Sequence, residues 1–318
     1  MQTYKFISTL RYLSISESID GWFELMPGVN ITNSKTEIEK IVDGEFKKSA
    51  GLIEYEHFLE AENILYFEVS EEDFGKDLNG EQALFIWLSW VKMLINDLWF
   101  IRDNSVLCEA AFCKMTNQSS TTWTRNSLTS SAYNSSGMSC ETISLNKADL
   151  SIWEKKSYSI QTYLHNSKST SFDSFTNTNF SRVARCMRFV RAATKEQHPA
   201  VKLSHYCSAF ESLFSTDNAG LSHKLSERVA LFLRDYDYNP VEVFDHFKSF
   251  YDIRSNVTHG SSLRPKKEKN LSSQSQQCDT YLRIILCILL DNEDLRQLFD
   301  GKSDSFEHHF KLKLLQVK

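Results

Sequence analysis

The hydrophobic pattern changes its period partway along this chain. Over residues 4–15 apolar and polar positions alternate in part, and residues 51–69 break into two β-like runs around Glu60–Asn63. Such spacing predicts strands and turns. A long apolar helix is predicted over residues 83–101, opening after Asn79 and Gly80 and ending near Asp103 and Asn104. Residues 106–115 fit either a strand or a helical continuation, since period alone does not separate short apolar runs. Residues 116–139 are rich in Ser, Thr and Asn, a composition of loops or exposed hairpins. Strand-like pieces return around Trp153 and Tyr158, and the polar stretch 166–179 reads as a linker.

Beyond that linker the period becomes helical. Ser181 is the expected N-cap of a first helix carrying Val183, Met187 and Val190, which His198-Pro199 ends. A second helix covers residues 199–214, with Leu203, Tyr206, Phe210, Leu213 and Phe214 on its apolar side. After a turn at residues 216–220, Ser222 is expected to cap a third helix that buries Leu225, Val229 and Phe232. Asn239-Pro240 opens a fourth, because proline suits the first helical position. It carries Phe244, Phe247, Phe250 and Tyr251 and stops at Gly260, a natural residue just past a helix end. A fifth apolar helix spans residues 275–291, and a shorter segment covers 306–315. The predicted fold class is therefore α+β. A strand-rich, mixed α/β domain over residues 1–170 precedes an all-α bundle over residues 171–318.

Charge sharpens this division. The 318 residues carry a formal net charge of −5, which argues against a generally sticky nucleic-acid binder. From residue 180 onward, however, 21 Lys and Arg face 17 Asp and Glu, whereas the remainder holds 15 against 24. The helical half is the mildly basic one. Seven cysteines without a CxxC pair fit neither a disulfide framework nor a zinc knuckle, so reduced thiols in a cytoplasmic protein are expected. No export signal opens the sequence. The apolar run 83–101 is long enough to span a bilayer, but Lys92, Asn96 and Asp97 lie inside it, and charge there is costly. A buried amphipathic helix is the expectation, with no membrane partner.

The segment with most chemical content is Tyr251-Asp252-Ile253-Arg254-Ser255-Asn256-Val257-Thr258-His259-Gly260. Arg254 offers a permanent forked cation for a phosphate. His259 can exchange a proton near neutral pH. RNA supplies its own nucleophile, the ribose 2′-hydroxyl. Five helical residues turn roughly 500°, so the two side chains project about 140° apart. Convergence needs a loosened last turn or a second copy of the helix. Transesterification also wants both a base and an acid. A symmetric dimer would supply two histidines, with paired arginines against the phosphorus. Ser255 and Asn256 could orient the histidine or bind a phosphate oxygen.

This segment resembles the RxxxxH signature of the HEPN-domain ribonucleases, and more closely the Apea-like branch of that superfamily. The runs Arg188-Phe189-Val190-Arg191-Ala192-Ala193, Ala209-Phe210-Glu211-Ser212-Leu213 and Leu225-Ser226-Glu227-Arg228-Val229-Ala230 are similar to that branch as well. The resemblance covers roughly residues 180–292. It implies a dimeric helical bundle and metal-independent RNA cleavage, often in toxin or anti-phage defence systems, with a phage trigger or antitoxin as a further partner. Ser255 directly after the arginine departs from the Asn, Asp or His found in many active members.

Around this motif, Glu211 and Arg228 are expected to pair across helices and support Arg254. Arg182, Arg185, Arg188 and Arg191 read as a solvated face; Arg188 and Arg191 are candidates for gripping RNA backbone. The basic loop with Arg264, Lys266, Lys267 and Lys269 follows the motif and is a second RNA-contact candidate. His308-His309 lacks metal-ligand company, and no GxGxxG, P-loop, HExxH or GxSxG occurs, so neither metal nor cofactor is expected. The N-terminal aromatic helix reads as core, and its domain as one that senses a trigger or restrains the nuclease. An alternative of another class is a non-catalytic HEPN-like module that dimerises and binds nucleic acid or protein.

Overall fold

The structure, a computed structural model, describes residues 2–118, 120–126, 131–167, 181–217 and 220–316, and of Lys266 only the backbone. Most of the expected linker, 168–179, lies outside the described residues. The fold is α+β. Two compact units divide the chain: Met1–Ala132 with Cys140–Ser159, and Tyr133–Ser139 with Ile160–Lys318, against the expected division near residue 170.

The first unit is built on a six-stranded sheet. Its elements are β1 (Thr3–Arg11), β2 (Leu13–Ile15), β3 (Phe23–Met26), β4 (Val29–Thr32), α1 (Lys35–Ile41), α2 (Gly44–Ala50), α3 (Leu52–Glu60), β5 (Ile64–Ser70), α4 (Glu71–Phe74), α5 (Gly80–Leu98), β6 (Leu107–Thr116), β7 (Thr121–Asn126) and β8 (Ile143–Leu145), followed by α6 (Lys147–Asn166). The sheet order is β3-β4-β5-β1-β6-β7, and its strands pair antiparallel; β2 and β8 form a separate parallel pair. Because successive strand side chains point to opposite faces, β1 feeds two cores. Tyr4 and Phe6 join Phe67, Leu84, Trp87, Val91 and Leu94 beneath α5, while Ile7 joins Ile38, Phe46, Phe58 and Phe112 beneath α1–α3. A central strand buried on both faces has apolar residues at consecutive positions, which is why its alternation is only partial in sequence.

The long apolar helix folds as expected of a core element. Asn79 accepts from Gln82 N at 2.9 Å and Gln82 Oε1 accepts from Asn79 N at 3.1 Å, a reciprocal cap. Ala83, Leu84, Trp87, Val91, Leu94 and Leu98 form its buried stripe, and Trp87 Nε1 donates to buried Ser8 Oγ at 2.7 Å. Among the described residues, no helix is long and apolar enough to cross a membrane.

Two predicted strand regions are helical. In residues 52–60 the apolar Tyr55, Phe58 and Leu59 fall at three- and four-residue spacing and pack as α3. Around Trp153, α6 starts with another reciprocal cap, Asn146 Oδ1 accepting from Asp149 N at 2.8 Å and Asp149 Oδ2 from Asn146 N at 3.1 Å. Leu150, Trp153, Ser157, Ile160 and Leu164 then share one buried stripe. Aromatic and β-branched residues lower helix propensity by only tenths of a kcal/mol each, and burial of that stripe outweighs it. Residues 106–115 resolve as strand β6, and part of the Ser/Thr/Asn-rich stretch forms the edge strand β7.

The second unit is helical: α7 (Arg182–Ala193), α8 (Pro199–Phe214), α9 (Leu221–Arg234), α10 (Pro240–His259), α11 (Pro265–Lys269), α12 (Leu271–Asp291), α13 (Glu293–Asp300) and α14 (Ser303–Leu315). Helix α8 is central, packing against α7, α9, α10 and α12. Ser181 caps α7, with Ala184 N donating to its Oγ at 3.1 Å. Gly220, in the left-handed region at φ 61°, rather than Ser222, stands before α9. Helix α13 lies in a stretch not singled out from sequence; Asn292 caps it by accepting from Leu295 N at 3.0 Å. Residues 133–139 pack onto these helices, although their polar composition suggests exposure. Fully buried Lys202 donates to the carbonyls of Ala193 at 2.5 Å and Tyr133 at 3.2 Å, and Ser275 Oγ donates to Ser135 O at 2.5 Å. Asn134 and Ser135 are buried there with polar partners, Asn134 Oδ1 accepting from Ser136 N at 3.1 Å and Met138 N at 2.9 Å, and the Ser135 carbonyl from Ser275.

Candidate functional site

The Arg254–His259 motif lies on the last turns of α10. Asn239 starts the helix, its Oδ1 accepting from Val241 N at 3.0 Å, and Gly260 ends it at φ 67°. The helix is unbroken through His259. Thr258 Oγ1 donates to Arg254 O and Asn256 Nδ2 to Asp252 O, each at 2.8 Å. Both side chains fold back on their own helix, so the last turn is not loosened. Arg254 and His259 are therefore roughly 140° apart around the axis and about 7.5 Å apart along it. His259 and Ser255 are exposed, and His259 has no hydrogen-bond or ion-pair partner among the described residues.

Arg254 is held differently. Its guanidinium lies half-buried beside α8, with Nη2 3.4 Å from Glu211 Oε1. Tyr251, one turn earlier on α10, donates its hydroxyl to the same carboxylate oxygen at 2.7 Å. Burial, with Cys207 and Glu211 adding to it, holds the Tyr251 phenol far above its ordinary range. Burial likewise pushes the Cys207 thiol up, with Glu211 adding and Arg254 opposing. Neither group is an acid–base or nucleophilic candidate at neutral pH; they form the packed support under the arginine. Truncating Glu211 to Ala leaves a buried hydroxyl without an acceptor, a loss of about 1–3 kcal/mol. Tyr251→Phe removes the donor instead and is expected to cost less, about 1 kcal/mol. Urea unfolding of both variants checks this ordering; equal or inverted losses would refute the shared-oxygen account.

Arg228 does not pair with Glu211. It donates to Phe214 O at 2.6 Å and to Glu307 Oε2 at 2.5 Å, and lies 5.5 Å over the Phe306 ring. The partner is 79 residues downstream on α14, in a segment the motif reading did not use. Glu211 nonetheless touches Arg254 directly. The arginine row on α7 is not a solvated face: all four side chains are half-buried. Arg182 donates to Ser215 O at 2.8 Å and Ser303 Oγ at 3.0 Å. Three-residue steps drift by about 60° each, so the three steps from Arg182 to Arg191 sweep half the helix and the four side chains cannot share one surface. Arg188 and Arg191 offer less free charge than expected.

The basic stretch after the motif is partly helical, α11, rather than a loop; Pro265 occupies its first turn. Lys267 pairs with Asp252 on α10. That ion pair ties α11 to the helix bearing Arg254, a role sequence spacing did not reveal. Arg264 and Lys269 are exposed, and the side chain of Lys266 lies outside the described residues. The seven cysteines, all among the described residues, form no disulfide. Among the described residues no three His, Cys, Asp or Glu side chains are grouped as metal ligands.

The arrangement thus presents a fixed cation and a free imidazole on one helix end, facing different directions. Such an end can bind a phosphate at the arginine and exchange a proton at the histidine, though not on one phosphate within a single straight helix. No protein-family model, curated protein or solved structure matches the chain.

Proposed function

We propose that the helical unit is a metal-independent endoribonuclease of HEPN type, acting in the cytoplasm as a homodimer in anti-phage defence or toxin-mediated growth arrest. The observation that carries this reading is the contrast within α10: Arg254 is fixed by Glu211 and Tyr251, while His259 stands exposed at the intact helix end. A preorganised cation stabilises developing phosphoryl charge without reorganising, and a free histidine is suited to proton transfer. Since the last turn is not loosened, the second copy is the remaining route to convergence. Two helix ends related by a twofold axis would bring two histidines and two arginines to one phosphate. Arg264 and Lys269, exposed nearby, would hold flanking phosphates.

In the reaction, one His259 accepts the proton of the 2′-hydroxyl as its oxygen attacks phosphorus. The other His259 protonates the departing 5′-oxygen. Arg254 stabilises the charge at phosphorus. Ser255, exposed beside it, can donate to a phosphate oxygen, whereas Asn256 is engaged with its own backbone. The products are a 2′,3′-cyclic phosphate and a 5′-hydroxyl. End-group analysis of RNA cut in EDTA tests this: cyclic-phosphate ends are expected, and a DNA strand of the same sequence should survive intact. Cleaved DNA, or EDTA-sensitive cleavage, would overturn the mechanism. A binding module without turnover is the second reading, favoured by Ser255 at the position after the arginine.

A further inference from the structure

The sheet unit contains a pocket of about 330 Å³ at the end of β1, and none of its lining residues belongs to the motif. Leu10 and Leu13, both buried, give it an apolar floor; Thr9 and His57 form a polar wall; Glu60 and Glu62 stand at its rim. The volume lies at the small end of the range for ligand sites.

The backbone that builds this corner is irregular. The register of β1 against β6 shifts between Ser8 and Leu10, placing a bulge at Thr9, and bulges re-aim side chains. Tyr12, which follows β1, sits at φ 64°, a left-handed conformation uncommon for a bulky residue. Asn63 holds the crossing together, its Nδ2 donating to Leu10 O at 3.2 Å and Leu13 O at 2.6 Å.

Charge decides what the pocket can take. Arg11, on its lining, is answered by Glu109 at 2.6 Å. Thr9 Oγ1 meets His57 Nε2 at 3.1 Å, and the same nitrogen faces Glu109 Oε2 at 3.7 Å. A hydroxyl and a carboxylate on one nitrogen do not make a relay through the ring, so this is not a nucleophilic site. Glu60 and Glu62 have no ion-pair partner among the described residues, which leaves the lining negative. Two buried acceptors nearby, Asn63 Oδ1 and Glu109 Oε2, lack a hydrogen-bond donor. The lining thus sets two unanswered carboxylates against one guanidinium that Glu109 already holds, and it has an apolar floor. Carboxylates above an apolar floor suit a cation that carries an apolar body.

We propose that this pocket binds a small organic cation, an amine or guanidine with a short apolar body, whose head group is drawn to Glu60 and Glu62. Its negative lining disfavours nucleotides and other phosphates. Isothermal titration of the full chain with agmatine, putrescine and spermidine, and with AMP as the anionic counterpart, tests it. At least one cation should bind saturably with 1:1 stoichiometry. Affinity should fall at least tenfold in the Glu60→Gln/Glu62→Gln double variant, and both side chains are exposed, so the fold has no stake in them. The His259→Ala chain should bind the cation as the wild type does, which separates this site from the nuclease reading. No saturable binding by any of the three cations, unchanged affinity in the double variant, or AMP binding in their place would each overturn the proposal.

Discussion

His259→Ala is expected to lower RNA cleavage in EDTA by roughly 10²–10⁴-fold, the usual contribution of a positioned acid or base. The helix should be undisturbed, because His259 is exposed and no other described side chain depends on it. Arg254→Ala should cost about 10²–10³-fold by removing charge stabilisation at phosphorus. It also releases Glu211, so a modest loss of stability accompanies it. Arg254→Lys should recover only part of the rate, since an ammonium lacks the guanidinium fork. If two histidines serve one phosphate, an equal, fully exchanged mixture of wild-type and His259→Ala chains shows about a quarter of the activity of wild type at the same total chain concentration, the square of the wild-type fraction. A linear decline would mean that each chain works alone. Equal cleavage by all variants would place the activity elsewhere and leave the binding-module reading in its place.

Phe214→Ala is expected to destabilise the helical unit by about 3–5 kcal/mol. Phe214 is fully buried at the end of α8, where rings from four helices meet. Its centroid lies 5.8 Å from Phe232 on α9, 5.2 Å from Phe299 on α13 and 6.0 Å from Phe310 on α14, all edge-to-face. Truncation opens a cavity that no single neighbour can close without leaving its own contacts. Its carbonyl is also the acceptor for buried Arg228, so local collapse would disturb that guanidinium as well. With two compact units in the chain, unfolding need not be a single transition. The loss should therefore be read by hydrogen exchange of α8 amides in urea, not from one melting temperature. Unchanged α8 protection would contradict the packing account.

Much of the helical unit was legible in the chain itself. Asn239-Pro240 and Gly260 bracket α10 because capping and proline chemistry act over three or four residues. Ser181 marked the start of α7 for the same reason. The stripe of α5 was readable from period alone, and charges inside the run pointed away from the bilayer. Local rules failed where local preference and packing disagreed. Leu52–Glu60 and Lys147–Asn166 carry aromatic and β-branched residues that suit strands, yet both are helices, and Phe58 of the first and Leu150 and Trp153 of the second are buried in the sheet unit's cores.

The motif shows the same division. Sequence by itself determined that Arg254 and His259 share one helix end, and that five residues of a regular helix point them apart. Only the tertiary structure decided that Glu211 and Tyr251, rather than solvent, hold the arginine. It also assigned Arg228 to Glu307, Lys267 to Asp252, and the arginines of α7 to half-buried positions. Caps and turns are contacts between near neighbours, whose partners the chain order names. A pairing across helices depends on which faces close over the core, and no local spacing encodes a partner 40 or 79 residues away.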